Sequence, residues 1–183
     1  LNFHRIVYVS GTVGVSLFFV LSGFLLFFQL YKDKQPLSWP RIKEYTKKRL
    51  LRILPLYYFS IIFIVLIFRF DILSLEGGIK TILYNFIFLR DFHPDVATKI
   101  TINPVYWSLI IEMHFYFILP VFYFIFYKYR SIGWFFALAL LGVAYRLLVI
   151  NIFPNPSMQL LRLTPANVDF FAFGMLGAYL YVQ

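Results

Sequence analysis

Apolar and polar positions in this chain fall into long blocks. Thr12 to Tyr31 is an apolar run about 20 residues long, the length that crosses roughly 30 Å of hydrocarbon at 1.5 Å per residue. A polar stretch follows, in which Pro36 and Pro40 stop any early helix. A new helix is predicted from near Arg41, turning apolar at Leu51 and running to Phe68 as a second span. Pro55 lies inside it and is tolerated if neighbouring groups cover the freed carbonyl. Val105–Tyr127, Ile132–Ile150 and Leu160–Val182 read as third, fourth and fifth spans. Ile82–Leu89 is apolar but too short to cross, and reads as re-entrant or interfacial. Leu1–Ser10 reads as the end of a helix plus a loop, and Asp91–Asn103 as a loop. The predicted fold class is all-α: a polytopic membrane helix bundle with about five transmembrane helices and one short re-entrant or interfacial segment.

Composition agrees. Of 183 residues, 61% are hydrophobic and 22% aromatic, where a soluble domain is nearer half apolar. The net charge of +9 sits mostly between the apolar runs, a positive-inside bias and not a nucleic-acid surface. Between Lys32 and Arg52 there are eight Lys or Arg against two acids, which puts loop 32–52 in the cytoplasm. The remaining basic clusters, Lys128 with Arg130 among them, then fall inside. Lys80, Arg90 and Lys99 fall outside, diluted by Asp71, Glu76, Asp91 and Asp95. The chain has no cysteine, which removes disulfides, thiolate nucleophiles and Cys-ligated metals. It starts without Met and stops within an apolar run, so it reads as one membrane domain cut from a longer protein.

Few residues could carry chemistry. Glu112 lies a few positions into the third span, where a carboxylate costs about 2.5–3.5 kcal/mol and normally faces the protein interior or a wet cavity. Ser108, four residues earlier, shares its face. A structural pair with Arg or His and a direct chemical role both remain open for Glu112. His114 falls about 200° round the helix from it and reads as a packing histidine. His93, in a Pro-containing loop, carries no assigned role. His4 suits a general base by its ordinary pKa near 6.5, with an interfacial side chain as the plainer reading. Arg49 and Arg52, three apart, point the same way. With Lys47, Lys48 and Pro55 beside them they suit an anionic ligand, since Arg forks match phosphate oxygens; simple membrane anchoring is the alternative. Ser22 and Gly23 interrupt a bulky run, as Gly174, Gly177 and Ala178 do later. Close helix packing is the first reading, and a gap for a ligand arm the second. Without Cys, and without a Ser in a nucleophile-elbow pattern, direct attack by a deprotonated acceptor hydroxyl is easier to build than a covalent enzyme intermediate.

Four stretches in order resemble the membrane-bound acyltransferase-3 family: GVSLFFVLSGFLL (Gly14 to Leu26), KKRLLRILPLYY (Lys47 to Tyr58), YWSLIIEMHFYFILP (Tyr106 to Pro120) and LTPANVDFFAFGMLGAYL (Leu163 to Leu180). Ser16 departs from the acid common at that point of the family pattern. The resemblance implies a fragment of a bacterial inner-membrane O-acyltransferase, acting on polysaccharides or related acceptors. It implies acyl transfer, most simply O-acetylation, from acetyl-CoA or another acyl-CoA to a hydroxyl of a cell-surface glycan or similar acceptor. The acyl-CoA and the acceptor would be its partners besides the bilayer, with no nucleic acid and no metal. Arg49, Arg52 and Lys48 would hold the donor's phosphates at the inner rim. Ser22 and Gly23 would pass its acyl arm. His4, on the outer rim, would take the acceptor proton, and Ser108 and Glu112 would orient base or acceptor. The family's partner Arg for that His would precede Leu1. The competing reading is a transporter or flippase for an anionic or glycan substrate, its path lined by Glu112, Arg146 and Asp169.

Overall fold

The computed structural model describes residues 3–93, 100–153 and 158–183, with side chains from residue 13 onward. Every regular element among them is helical: α1 (Phe3–Tyr31), α2 (Trp39–Ile67), α3 (Gly78–Phe86), α4 (Tyr106–Tyr129), α5 (Gly133–Ile152), the single turn α6 (Met158–Leu161) and α7 (Val168–Val182), with short 3₁₀ turns between. Among the described residues four helices are long and apolar enough to cross a membrane: α1 from Val13, α2, α4 and α5.

The fifth expected span is therefore corrected. Leu160–Val182 does not form one helix. Its first part is split between α6 and a 3₁₀ turn at Thr164–Asn167, and the continuous helix α7 begins only at Val168. Pro165 explains the break, because proline offers no N–H to a preceding turn and biases Thr164 away from helix. Two smaller expectations also shift. Helix α1 runs unbroken from Phe3, where a loop was expected before Ser10. Helix α2 starts at Trp39, with Pro40 in its first turn where a missing N–H costs nothing, so it is 29 residues long. The short apolar segment is α3, nine residues, too short to cross. The expected loop beginning at Asp91 opens as a 3₁₀ turn at Arg90–Phe92, and its residues 94–99 lie outside the described residues.

The chain divides into two compact units. One comprises Leu1–Leu37, Ile118–Pro156 and Thr164–Gln183. Its centre is aromatic. Phe19 stacks on Phe171 at 4.9 Å, and Phe27 lies 5.4–5.8 Å from the rings of Tyr123, Phe126 and Phe135. Helices α1 and α7 meet at their small residues. A Cβ built on Gly174 would fall inside the Val20 carbonyl, and one on Gly23 inside the Phe171 carbonyl. Such backbone-to-backbone approach is what small residues permit between spans. The second unit comprises Ser38–Phe117 and Ser157–Leu163, centred on Tyr57, Ile61, Val65, Ile72, Ile100, Ile102 and Tyr106. Arg69 closes one end of it with a fork on Asp71 (3.0 and 3.1 Å) and a 2.9 Å bond to the Thr101 carbonyl. That fork holds the Asp71 carboxyl below the usual carboxylate range.

Gly174→Val should lower thermal stability by about 1–3 kcal/mol or more through overpacking. Gly14→Ala, where an added Cβ meets nothing within 4 Å, should leave it unchanged. Melting curves of the detergent-solubilised protein check the contrast.

Candidate active site

Helices α2 and α4 run antiparallel in the second unit. Tyr57 packs edge-on against Tyr106 at 5.1 Å, and Ser60 Oγ shares a 2.8 Å hydrogen bond with the Tyr106 hydroxyl. Towards the start of α2 and further along α4, Tyr45 and Arg49 come level with Tyr116 and Glu112. The charges of Arg49 and Glu112 both act on the Tyr45 hydroxyl and on the Tyr116 hydroxyl. Each helix supplies two of these residues four apart, hence on one face.

All four are buried, with Arg49 8% and Glu112 7% exposed. A guanidinium and a carboxylate out of water each cost several kcal/mol unless compensated, so both must find polar groups within the protein. Part of that compensation is the Tyr116 hydroxyl, which donates to Glu112 Oε1 at 2.7 Å. Tyr45 is different. Its ring is 6% exposed and its hydroxyl has no hydrogen-bond partner among the described residues. A buried hydroxyl without a partner costs about 1–3 kcal/mol, so a polar group arriving beside Arg49 and Glu112 would relieve that cost.

The predicted site residues divide. Arg49 and Glu112, assigned to opposite rims, lie instead at one level. The reason is the antiparallel alignment of the two helices: Arg49, nearly three turns into α2, comes level with Glu112, under two turns into α4. Arg52 is exposed, on the same side of α2 as Arg49. Lys48 points to solvent, 73% exposed, with its Nζ 2.6 Å from Glu44 Oε1. Ser108 is buried on the Glu112 face, but its hydroxyl donates to the Val105 carbonyl at 3.0 Å. His4 lies in the first turn of α1, and its side chain is outside the described residues. Ser22 and Gly23 belong to the other unit, and the space beside Gly23, read as a passage for an acyl arm, is taken by α7 backbone. Two tyrosines escaped the sequence reading. The signal was available: Tyr45 stands four residues before Arg49, and Tyr116 four after Glu112.

Other polar groups lie outside this patch. His114 Nε2 lies 2.9 Å from the Phe88 carbonyl. Arg90 and Asp91 are buried side by side, Nε to Oδ1 4.0 Å. Burial pushes the Asp91 carboxyl up and the Arg90 guanidinium down, each countered by the other's charge. In the first unit Arg146 forks onto Asp169 at 2.9 and 2.6 Å and also donates to the Ala166 carbonyl. Two of the three residues named for a transport path, Arg146 and Asp169, are thus paired with each other.

A family model described as an acyltransferase domain matches residues 1–183. No curated protein and no solved structure matches the chain.

Tyr45→Phe should leave stability unchanged or slightly raised, because it removes a hydroxyl that nothing satisfies. Tyr116→Phe should cost about 1.5–3 kcal/mol, the worth of a hydrogen bond to a charged group. Chemical or thermal denaturation of the two variants side by side checks this.

Proposed function

The chain belongs to the acyltransferase-3 family, and from that premise we propose that residues 1–183 form one membrane acyltransferase domain. It moves an acyl group, most simply acetyl, from acyl-CoA to a hydroxyl of a glycan or similar cell-envelope acceptor. One observation supports the reading above the others: a buried cation, a buried carboxylate and an unused tyrosine hydroxyl share one patch of interior between α2 and α4. Such a patch fits an anionic thioester donor and a hydroxyl acceptor better than it fits the packing of two spans.

In this reading Arg49 and Arg52 hold donor phosphates, Arg49 from the interior and Arg52 from the exposed end of the same face, with Lys48 adding charge outside them. His4 takes the proton from the acceptor hydroxyl. That oxygen bonds to the acyl carbon, the carbon–sulfur bond breaks, and the departing thiolate recovers the proton. Glu112, with Ser108 on its face, orients the base or the acceptor, while Tyr45 donates to the donor or to the carbonyl oxygen as charge develops on it. A positioned base supplies about 10²–10⁴ of the rate, and orientation supplies more. The protein sits in a bacterial inner membrane, with loop 32–52 cytoplasmic.

The test is acyl transfer from labelled acetyl-CoA by membranes containing the complete protein. His4→Ala and Glu112→Gln should lower turnover by about 10²-fold or more. Arg49→Lys should chiefly raise KM for acetyl-CoA, by about tenfold, since a point charge replaces a fork. Full turnover in all three variants would sink the assignment. Orientation has its own check: Lys43→Cys, with any cysteine outside residues 1–183 replaced, should react with an impermeant thiol reagent only from the cytoplasmic side. Labelling from outside would invert the topology.

A further inference from the structure

The second unit carries a polar cluster beside the start of α4 that the reading above leaves unused. Three short pieces of chain assemble it. The 3₁₀ turn Arg90–Phe92 supplies Arg90 and Asp91, buried side by side. The single turn α6 docks on that turn: Gln159 Nε2 donates to the Asp91 carbonyl at 2.8 Å, and the Arg162 backbone N–H donates to the Gln159 carbonyl at 3.0 Å. Arg162 is thereby brought to α4, where its guanidinium lies over the Trp107 ring, 5.3 Å from the centre. The Arg162 charge acts on both Asp91 and Arg90.

Two groups in this cluster are unengaged. Arg162 is half-buried, and its guanidinium makes no hydrogen bond or ion pair among the described residues. Asp91 is 4% exposed, and its Oδ2 has no hydrogen-bond partner among the described residues. A buried acceptor left in that state destabilises the fold until a donor reaches it. A guanidinium held on an aromatic face keeps its N–H edge for an incoming acceptor. Among the described residues the cluster sets two cations against one acid, so a further negative charge is favoured beside it.

Each group selects a ligand property. The guanidinium fork selects a carboxylate. The Asp91 oxygen selects a hydroxyl that can donate to it. A phosphatidylcholine headgroup would meet the fork but brings no donor for Asp91. We infer that the cluster binds an acidic sugar, its carboxylate on Arg162 and a neighbouring hydroxyl donating to Asp91 Oδ2. Trp107 precedes Glu112 by five residues, about 7.5 Å of helix rise, so the cluster lies along α4 towards its start from the Glu112 level. That this sugar belongs to the acyl acceptor, approaching from the outer side, rests on the acyltransferase reading. In that case the cluster makes the enzyme selective for acidic glycans.

The test is binding to the purified complete protein in phosphatidylcholine nanodiscs, with glucuronate, glucose and acetate as probes. Glucose keeps the ring and its hydroxyls without the carboxylate, and acetate keeps the carboxylate without hydroxyls. Wild-type protein should bind glucuronate saturably at millimolar concentration, with glucose and acetate each weaker by about tenfold or more. Arg162→Gln should weaken glucuronate by about tenfold and leave glucose unchanged, so that the preference disappears. Arg162→Lys should fall between, since a point charge replaces a fork. A melting temperature within a few degrees of wild type shows that each variant is folded. Wild-type protein that binds glucuronate no better than glucose or acetate overturns the inference. So does folded Arg162→Gln that keeps the wild-type preference; loss of bound phosphatidylglycerol from that variant would then give Arg162 to lipid headgroups. Failure of the acyltransferase reading would look different: His4→Ala and Glu112→Gln would retain full acyl transfer while glucuronate still bound through Arg162.

Discussion

Pairing of α2 with α4 is the constraint on which the second unit depends. Polar side chains inside a span must be met by protein, because lipid offers no partner. Glu112 and Arg49 could each be neutralised in many ways taken singly. The antiparallel alignment, fixed at one end by Tyr106 against Tyr57 and Ser60, leaves them one arrangement in which both lie beside the same two tyrosines. A bundle built only for stability would fill that level with apolar side chains, which often pack as well as a buried ion pair or better. Keeping charges there costs folding energy.

The first unit is built on the opposite principle. Its helices gain little from desolvation, since lipid is as apolar as their side chains, so they rely on close contact. Gly23 and Gly174 let α1 and α7 touch backbone to backbone, and Phe19, Phe27 and Phe171 fill the remaining space with ring contacts. The Ser22–Gly23 interruption therefore tightens the bundle.

Much of this was legible in the chain. Four spans follow from uninterrupted apolar length. Glu112 and Arg49 stand out because a charge near hydrocarbon is costly wherever it occurs. What could not be read depends on long-range alignment. That Arg49 and Glu112 share a level follows from how α2 and α4 align, which no local pattern states. Tyr45 and Tyr116 are two of 14 tyrosines in a chain rich in aromatic rings; Tyr31, Tyr57, Tyr106 and Tyr123 are buried too, and only the four-residue spacing to Arg49 and Glu112 sets these two apart. The divided stretch Leu160–Val182 shows the limit of hydropathy: it is apolar throughout, but Pro165 breaks its helix.

That division has a mechanical consequence. Arg146 grips both the Ala166 carbonyl, at the end of the 3₁₀ turn, and the Asp169 carboxylate, in the first turn of α7, while Gly142 leaves room for the carboxylate against α5. One guanidinium thus rivets the corner at which the chain changes direction to its neighbour α5. Sliding α7 along α1 by one helical turn, about 5.4 Å, would have to shear that rivet and drive the Val20 carbonyl against a side chain larger than Gly174. The corner acts as a detent: it gives α7 one seat along the bundle.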